Sequence, residues 1–111
     1  MVKNNDYDKV VEIFKALSEP MRIKILDVVS CRELCACEIL ECLSISQSTL
    51  SHHMKVLMSC DLVIGRKEAT WMYYSINKET IANIHNTLDI ITSEKTNCRC
   101  NVQIQRKNCK K

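Results

Sequence analysis

Residues 33–43 read Glu-Leu-Cys-Ala-Cys-Glu-Ile-Leu-Glu-Cys-Leu, three cysteines in eleven residues. The whole chain carries eight: Cys31, Cys35, Cys37, Cys42, Cys60, Cys98, Cys100 and Cys109. Thiolates are soft ligands, suited to arsenic(III), antimony(III), cadmium, lead or zinc rather than to hard cations. The opening MVKNNDYDKVV holds no apolar stretch that would act as a secretory signal, so the expected setting is the cytoplasm, where thiols stay reduced. Cysteines in such a place point to metal binding or redox chemistry rather than to structural disulfides.

Cys35 and Cys37 fall near the start of an expected short helix, where the positive end of the helix dipole lowers a thiol pKa. Their spacing raises a geometric problem. Residues i and i+2 lie about 200° apart around a helix, so a regular helix cannot aim both sulfurs at one ion. Either that turn is frayed or a bound ligand distorts it. Cys42 projects badly from the same helix, about 10 Å along its axis from Cys35. It reads as core, and Cys31 and Cys60 read likewise as buried apolar fillers. No Ser/His/Asp or Cys/His arrangement is recognisable, and a chain with one glycine cannot build a phosphate loop, so an enzyme is not expected.

The 111 residues most economically form one domain with a real core. Apolar runs are only a few residues long, against the roughly 20 that span a bilayer, so no membrane partner is expected. Charge is unevenly placed. Residues 1–94 carry ten Lys/Arg against thirteen Asp/Glu, a net of −3, whereas residues 95–111 carry six and none, a net of +6. The sequence accordingly divides into a domain over 1–94 and a basic, Cys-containing tail over 95–111, KTNCRCNVQIQRKNCKK, which has no hydrophobic periodicity.

Within the domain, Tyr7, Val10, Val11, Phe14 and Leu17 follow helical spacing and predict a first amphipathic helix. Ser18 predicts the cap of a second helix with Pro20 in its first turn, whose buried side would be Ile23, Ile25, Leu26 and Val29. A third helix is expected over about Glu33–Leu43. Ser46 then caps a fourth over Gln47–Ser59, with Leu50, Met54 and Leu57 inside. Two runs rich in β-branched and aromatic residues, Leu62–Lys67 and Thr70–Ile76, predict a hairpin around a turn at Lys67–Thr70. Asn77 opens a last helix whose Ile81, Ile84, Leu88 and Ile91 form a narrow seam suited to pairing with another helix. The fold class is therefore mainly α with a β wing: a winged helix-turn-helix.

The stretch SISQSTLSHHMKVL puts small polar residues opposite Leu50, Met54 and Leu57. Gln47, Ser48, Thr49, Ser51, His52 and Lys55 then face base edges or phosphates, as in a recognition helix entering the major groove. Arg66 and Lys67 on the wing would add phosphate contacts, which position without specifying. An ordinary amphipathic helix with a solvated polar face would look similar; the Arg-Lys hairpin that follows tips the balance to double-stranded DNA.

LSEPMRIKIL, ELCAC and SQSTLSHHMKVLMSCDLVIGRKEATWMYYSI together resemble the ArsR/SmtB-type metal-sensing repressors, over roughly residues 8–93. The resemblance implies a homodimer joined through the first and last helices, which represses an operon from an inverted-repeat operator until a metal or metalloid releases it. The seam of the last helix agrees independently. In similar arsenic sensors the motif is C-x-C-x-x-C, but here its third position is Leu40. Cys98 and Cys100 repeat the C-x-C spacing and are the expected completing ligands, giving a metal site of Cys35, Cys37, Cys98 and Cys100. The last-helix zinc site of some relatives would map onto Asn77, Glu79, Ile90 and Ser93 and is absent. His85 and Asp89 read as a surface pair. No resident cofactor is expected; the leading inducer is arsenic(III) or antimony(III), with cadmium(II), lead(II) or zinc(II) next. A thiol redox or persulfide sensor on the same scaffold is the rival reading, and a metal-buffering or interaction module a third.

Overall fold

The computed structural model describes residues 4–94, and the elements run α1 (Asn4–Leu17), α2 (Pro20–Val29), β1 (Leu34–Cys35), α3 (Ala36–Cys42), α4 (Gln47–Ser59), β2 (Val63–Glu68), β3 (Trp71–Ile76) and α5 (Lys78–Thr92). This is the winged helix-turn-helix order, with α3 and α4 as the reading unit and β2–β3 as the wing. The core is closed by Ile25, Ile39, Leu50, Met54, Leu57 and Leu62, each at most 2 % exposed. Each such side chain contributes about 1.5–3 kcal/mol on burial.

The start of α4 follows from its cap. Ser46 is extended and its hydroxyl accepts the Thr49 N–H at 3.1 Å, satisfying one of the free donors of the first turn. Asn77 does the same for α5 by accepting from Thr80 at 3.3 Å. At α2 the expected cap is displaced by one residue. Glu19, not Ser18, accepts the Met21 N–H at 2.8 Å, with Pro20 at the first helical position. Ser18 instead donates to the Lys15 carbonyl at 2.7 Å and finishes α1. Ile23 is likewise outside, 52 % exposed, because it lies nearly opposite the buried Ile25 around the helix.

The third element departs most from expectation. Helix does not begin at Glu33. Leu34 and Cys35 are drawn into a short strand that pairs antiparallel with β3, Leu34 opposite Tyr74 and Cys35 opposite Tyr73, so the expected hairpin becomes a three-stranded sheet of order β1-β3-β2. The wing hairpin turns tightly at Ala69-Thr70, with Ala69 at φ 56. Gly65 sits where β2 passes the end of α4: a Cβ there would fall 2.8 Å from Met58 Sδ and 3.0 Å from Met72 Cε.

Two helices leave apolar side chains uncovered. In α1 the stripe read from the sequence is only in part the core side: Leu17 packs against the core, but the buried residues are Ile13 and Ala16, while Val11 and Phe14 are 48 % and 42 % exposed. In α5 no residue is buried, and Leu88 and Ile91 are 39 % and 43 % exposed, although Ile81 and Ile84 rest on the core. Among the described residues no helix is long and apolar enough to cross a membrane.

Candidate functional site: a dithiol at the junction of reading helix and wing

Strand β1 resolves the spacing problem of Cys35 and Cys37. Cys35 is extended, at φ −82 and ψ 163, and serves as the N-cap of α3, while Cys37 is that helix's second residue. The change of backbone direction between them brings the sulfurs together: Sγ to Sγ is 2.8 Å. The Glu38 carboxylate accepts the Cys35 N–H at 2.9 Å and so holds the cap in place. That bond keeps the Glu38 carboxyl below its ordinary pKa. Cys35 is buried and forms the back of the site, and Cys37 is exposed at its mouth.

The helix dipole does not decide the protonation of Cys37. Its hydrogen bond to the Cys35 sulfur, with some desolvation and the nearby Cys35 and Glu38 charges, pushes its pKa up rather than down. Two hydrogen-bonded thiols are a poor nucleophile but a good chelate, because a thiophilic ion replaces the thiol protons with two sulfur bonds. No group of three or more Cys, His, Asp or Glu able to hold a metal occurs among the described residues. Cys98 and Cys100 lie outside them, as does Cys109.

Cys31 and Cys42 are not core. Both are exposed and line one cleft of about 280 Å3 with Glu38 and Glu41. Cys42 closes α3 on its solvent side while Ile39 takes the buried position, and Cys31 lies in the loop after α2. Cys60 is half-buried, with its pKa raised by burial and its Sγ donating to the Leu57 carbonyl at 3.5 Å.

On the reading face, Gln47, Ser48, Thr49, Ser51, His52 and Lys55 are all exposed on α4. Ser48 and Thr49 also serve the cap: their hydroxyls lie 3.1 and 2.9 Å from Ser46 Oγ. Lys67 is exposed on the wing. Arg66 is engaged elsewhere. It grips Glu33 through two bonds, Nε to Oε2 at 3.0 Å and Nη2 to Oε1 at 2.8 Å, reaches Glu68 at 2.8 Å, and lies 4.8 Å over the Tyr73 ring. These carboxylates raise the Arg66 pKa, and the Arg66 guanidinium in turn holds that of Glu33 low. Arg66 thus ties the wing to the residue two positions before the dithiol. A double replacement of Ser48 and His52 by alanine should weaken specific operator binding by roughly 1–3 kcal/mol per lost base contact and leave the oligomeric state unchanged. Titration of labelled operator, with sedimentation in parallel, checks both.

His53 and Arg22 were not legible as partners. His53, adjacent to the exposed His52, is 9 % exposed and turned into the molecule. Arg22 Nη1 lies 3.1 Å from His53 Nδ1, and Arg22 Nε donates to the Ala16 carbonyl at 2.6 Å, so one guanidinium joins α1, α2 and the reading helix. Arginine has only donors, so Nδ1 accepts and the imidazole is neutral with its proton on Nε2. Desolvation first, then the Arg22 charge, pushes the His53 pKa below the ordinary 6.5, with Glu19 opposing. The depressed pKa means that this contribution is fully present above about 6.5 and is lost as pH falls through the folded-state value. The melting temperature should therefore drop by a few degrees more between pH 7.5 and 5.5 in the parent than in His53→Gln, whose amide oxygen still accepts from Arg22 but does not titrate.

The chain is similar to known proteins in sequence and fold. Residues 19–64 match the model of the arsR family of bacterial regulatory proteins. The chain is 46 % identical over 94 residues, 85 % of this chain and 90 % of the relative, to an arsenical resistance operon repressor of Staphylococcus xylosus. It is 36 % identical over 85 residues, 76 % of this chain and 69 % of the relative, to a homologue of the cadmium resistance transcriptional regulatory protein from Staphylococcus aureus. Its fold matches a homodimeric winged helix-turn-helix DNA-binding domain of Mycobacterium bovis, with a TM-score of 0.65 at 29 % identity, over 77 % of this chain and 79 % of that one. A reading helix beside a wing, and relatives of this similarity along nearly the whole described domain, lead to one conclusion: the chain belongs to the arsR family of bacterial regulatory proteins, which are winged helix-turn-helix transcription factors and not enzymes.

Proposed function

We propose that this chain is a metal(loid)-responsive repressor acting in the cytoplasm, a homodimer that holds an inverted-repeat operator until arsenite or antimonite, captured by Cys35 and Cys37, releases it. The observation that carries the reading is the pair of sulfurs 2.8 Å apart at the point where β1 hands the chain to α3. Cys35 pairs with Tyr73 of the wing, and α3 packs on the reading helix α4. A ligand that reshapes the Cys35–Cys37 turn therefore pulls on both DNA-contacting elements at once. The exposed Val11, Phe14, Leu88 and Ile91 supply apolar surface for a second copy, in keeping with the homodimeric relative.

Three-coordinate arsenic needs a third thiolate, and Cys98 or Cys100 in the tail over 95–111 is the source this reading takes. Cadmium, lead or zinc is the second reading, supported by the cadmium-resistance relative; a four-sulfur site would take both tail cysteines. The test is operator release by arsenite, antimonite, cadmium, lead and zinc in one anaerobic assay on the full chain. Arsenite or antimonite should act at the lowest concentration. Release by a hydroperoxide without metal, requiring both Cys35 and Cys37, would instead establish the redox reading. Deleting residues 97–111 should lower arsenite affinity by about tenfold or more, leave the circular dichroism spectrum of the domain intact, and flatten the salt dependence of operator binding if the basic residues meet phosphate. A truncated protein with undiminished affinity and response would place the third ligand at Cys42 or Cys31.

A further inference from the structure

Cys37 opens onto a cleft of about 400 Å3 between α3, the first turns of α4 and the tip of the wing. Leu40, Trp71, Met72 and Tyr74 give it an apolar wall, and Gln47 and Ser51 of the reading helix face it from the other side. The volume falls in the range of small-molecule sites, about 300–1,000 Å3, and is well above the roughly 150 Å3 in which an apolar cavity holds a benzene ring. Trp71 is 54 % exposed, a large ring at the wing tip with much of its surface still uncovered. A chelating dithiol at the edge of an aromatic-walled cleft suits a ligand with a soft centre and an apolar body.

From this juxtaposition we propose that the cleft is the subsite for the organic group of an aryl-substituted trivalent arsenical, captured by Cys35 and Cys37 alone. The inference rests on those two residues being the thiol ligands. An arylarsenous acid has two exchangeable hydroxyls, and its third valence is a carbon that needs apolar surface rather than a third thiolate. Two As–S bonds form and two As–O bonds break, each oxygen leaving as water with the thiol proton. Arsenic stays trivalent throughout, so no oxidant or reductant enters. The ring is then held between Trp71 and the Gln47–Ser51 side of α4, where it wedges the reading helix away from the wing. Inorganic arsenite, lacking the ring, depends on the tail for its third sulfur and leaves the cleft unfilled.

The probes are phenylarsenous acid, methylarsenous acid and arsenite, titrated into the full chain under anaerobic reduction. Trp71, the only tryptophan, is a built-in fluorescence reporter. Phenylarsenous acid should quench or shift Trp71 emission and release operator equally well from the parent and from a Cys98→Ser/Cys100→Ser protein, while arsenite potency falls about tenfold or more in the latter. Trp71→Leu should weaken phenylarsenous acid by about tenfold, roughly the loss of one aromatic contact, and leave methylarsenous acid within about threefold. Leu40→Trp, which fills the cleft from α3, should discriminate against the phenyl compound in the same direction and needs no change on the wing. Tail-dependent phenylarsenous acid binding, or phenyl and methyl compounds that respond alike to Trp71→Leu and Leu40→Trp, would overturn the subsite. A parent that binds none of the three arsenicals would refute the thiol-ligand reading itself and the cleft with it.

Discussion

A Cys35→Ser protein should repress as tightly as the parent and fail to respond to arsenite, the concentration for half-release of operator rising by a factor on the order of 10²–10⁴. That is the range over which tethering a second arm raises the affinity of a two-armed binder, and serine removes one arm by replacing a soft sulfur with a hard oxygen. Repression survives because the features that place β1 do not use the sulfur. The pairing of Cys35 with Tyr73 is through the backbone, and Glu38 accepts the Cys35 N–H at 2.9 Å. Serine is also a natural N-cap, which suits the position Cys35 holds before α3. Anisotropy of a labelled operator, with and without arsenite under anaerobic conditions, reads both properties in one titration. Loss of operator affinity without inducer would make Cys35 a structural residue, and an unaltered arsenite response would move sensing elsewhere. The same substitution at Cys31 or Cys42, which line a separate cleft, should leave the response unchanged.

The start and the apolar face of the reading helix are legible because their signals are local. Ser46 stands one residue before Gln47, and Leu50, Met54 and Leu57 follow at helical spacing, so cap and stripe agree on one boundary and one face. The dithiol was legible as residues but not as geometry. Helical spacing separates Cys35 from Cys37, and what unites them is a strand partner, Tyr73, 38 positions further on, which no local pattern announces. One clue was present: Cys35-x-x-Glu38 has the spacing of a capping box with sulfur in place of hydroxyl, which marks Cys35 as the residue before a helix rather than within it.

Long-range partners account for the other differences. Arg66 looked free for phosphate on sequence alone, yet Glu33 is brought beside it only once β1 joins the sheet. His53 could not be distinguished from His52 until α2 placed Arg22 beneath the reading helix. In α1 the difference has another cause. Periodicity reports an apolar face without saying what covers it, and Val11 and Phe14 belong to a face that the monomer leaves open. The cleft beside Cys37 draws on α3, α4, Thr70 of the wing turn and β3, and its signature in sequence is only a tryptophan in an otherwise aromatic-poor chain.

Cadmium and arsenite should differ sharply in their dependence on pH, with cadmium affinity rising at least about 100-fold from pH 6 to pH 8 and arsenite affinity nearly flat. The reason is the proton that Cys37 keeps. Its bond to the Cys35 sulfur raises the Cys37 pKa, so this thiol is protonated throughout that range. Cadmium binding must expel the proton into solution, and each proton released makes the affinity climb about tenfold per pH unit. Every further thiol that arrives protonated steepens the slope. Arsenous acid, neutral over the same range, carries its own proton acceptor: each hydroxyl leaves as water with the thiol proton, and the exchange is proton-neutral. Competition titrations against a colorimetric chelator at pH 6, 7 and 8 give the cadmium slope, and operator release gives the arsenite slope. A flat cadmium profile would mean that Cys37 is already a thiolate before the ion arrives, contrary to the raised pKa that its bond to the Cys35 sulfur implies. A matching rise for arsenite would mean that its capture runs through a pre-ionised thiolate, and the balanced exchange of hydroxyl for thiol would have to be abandoned.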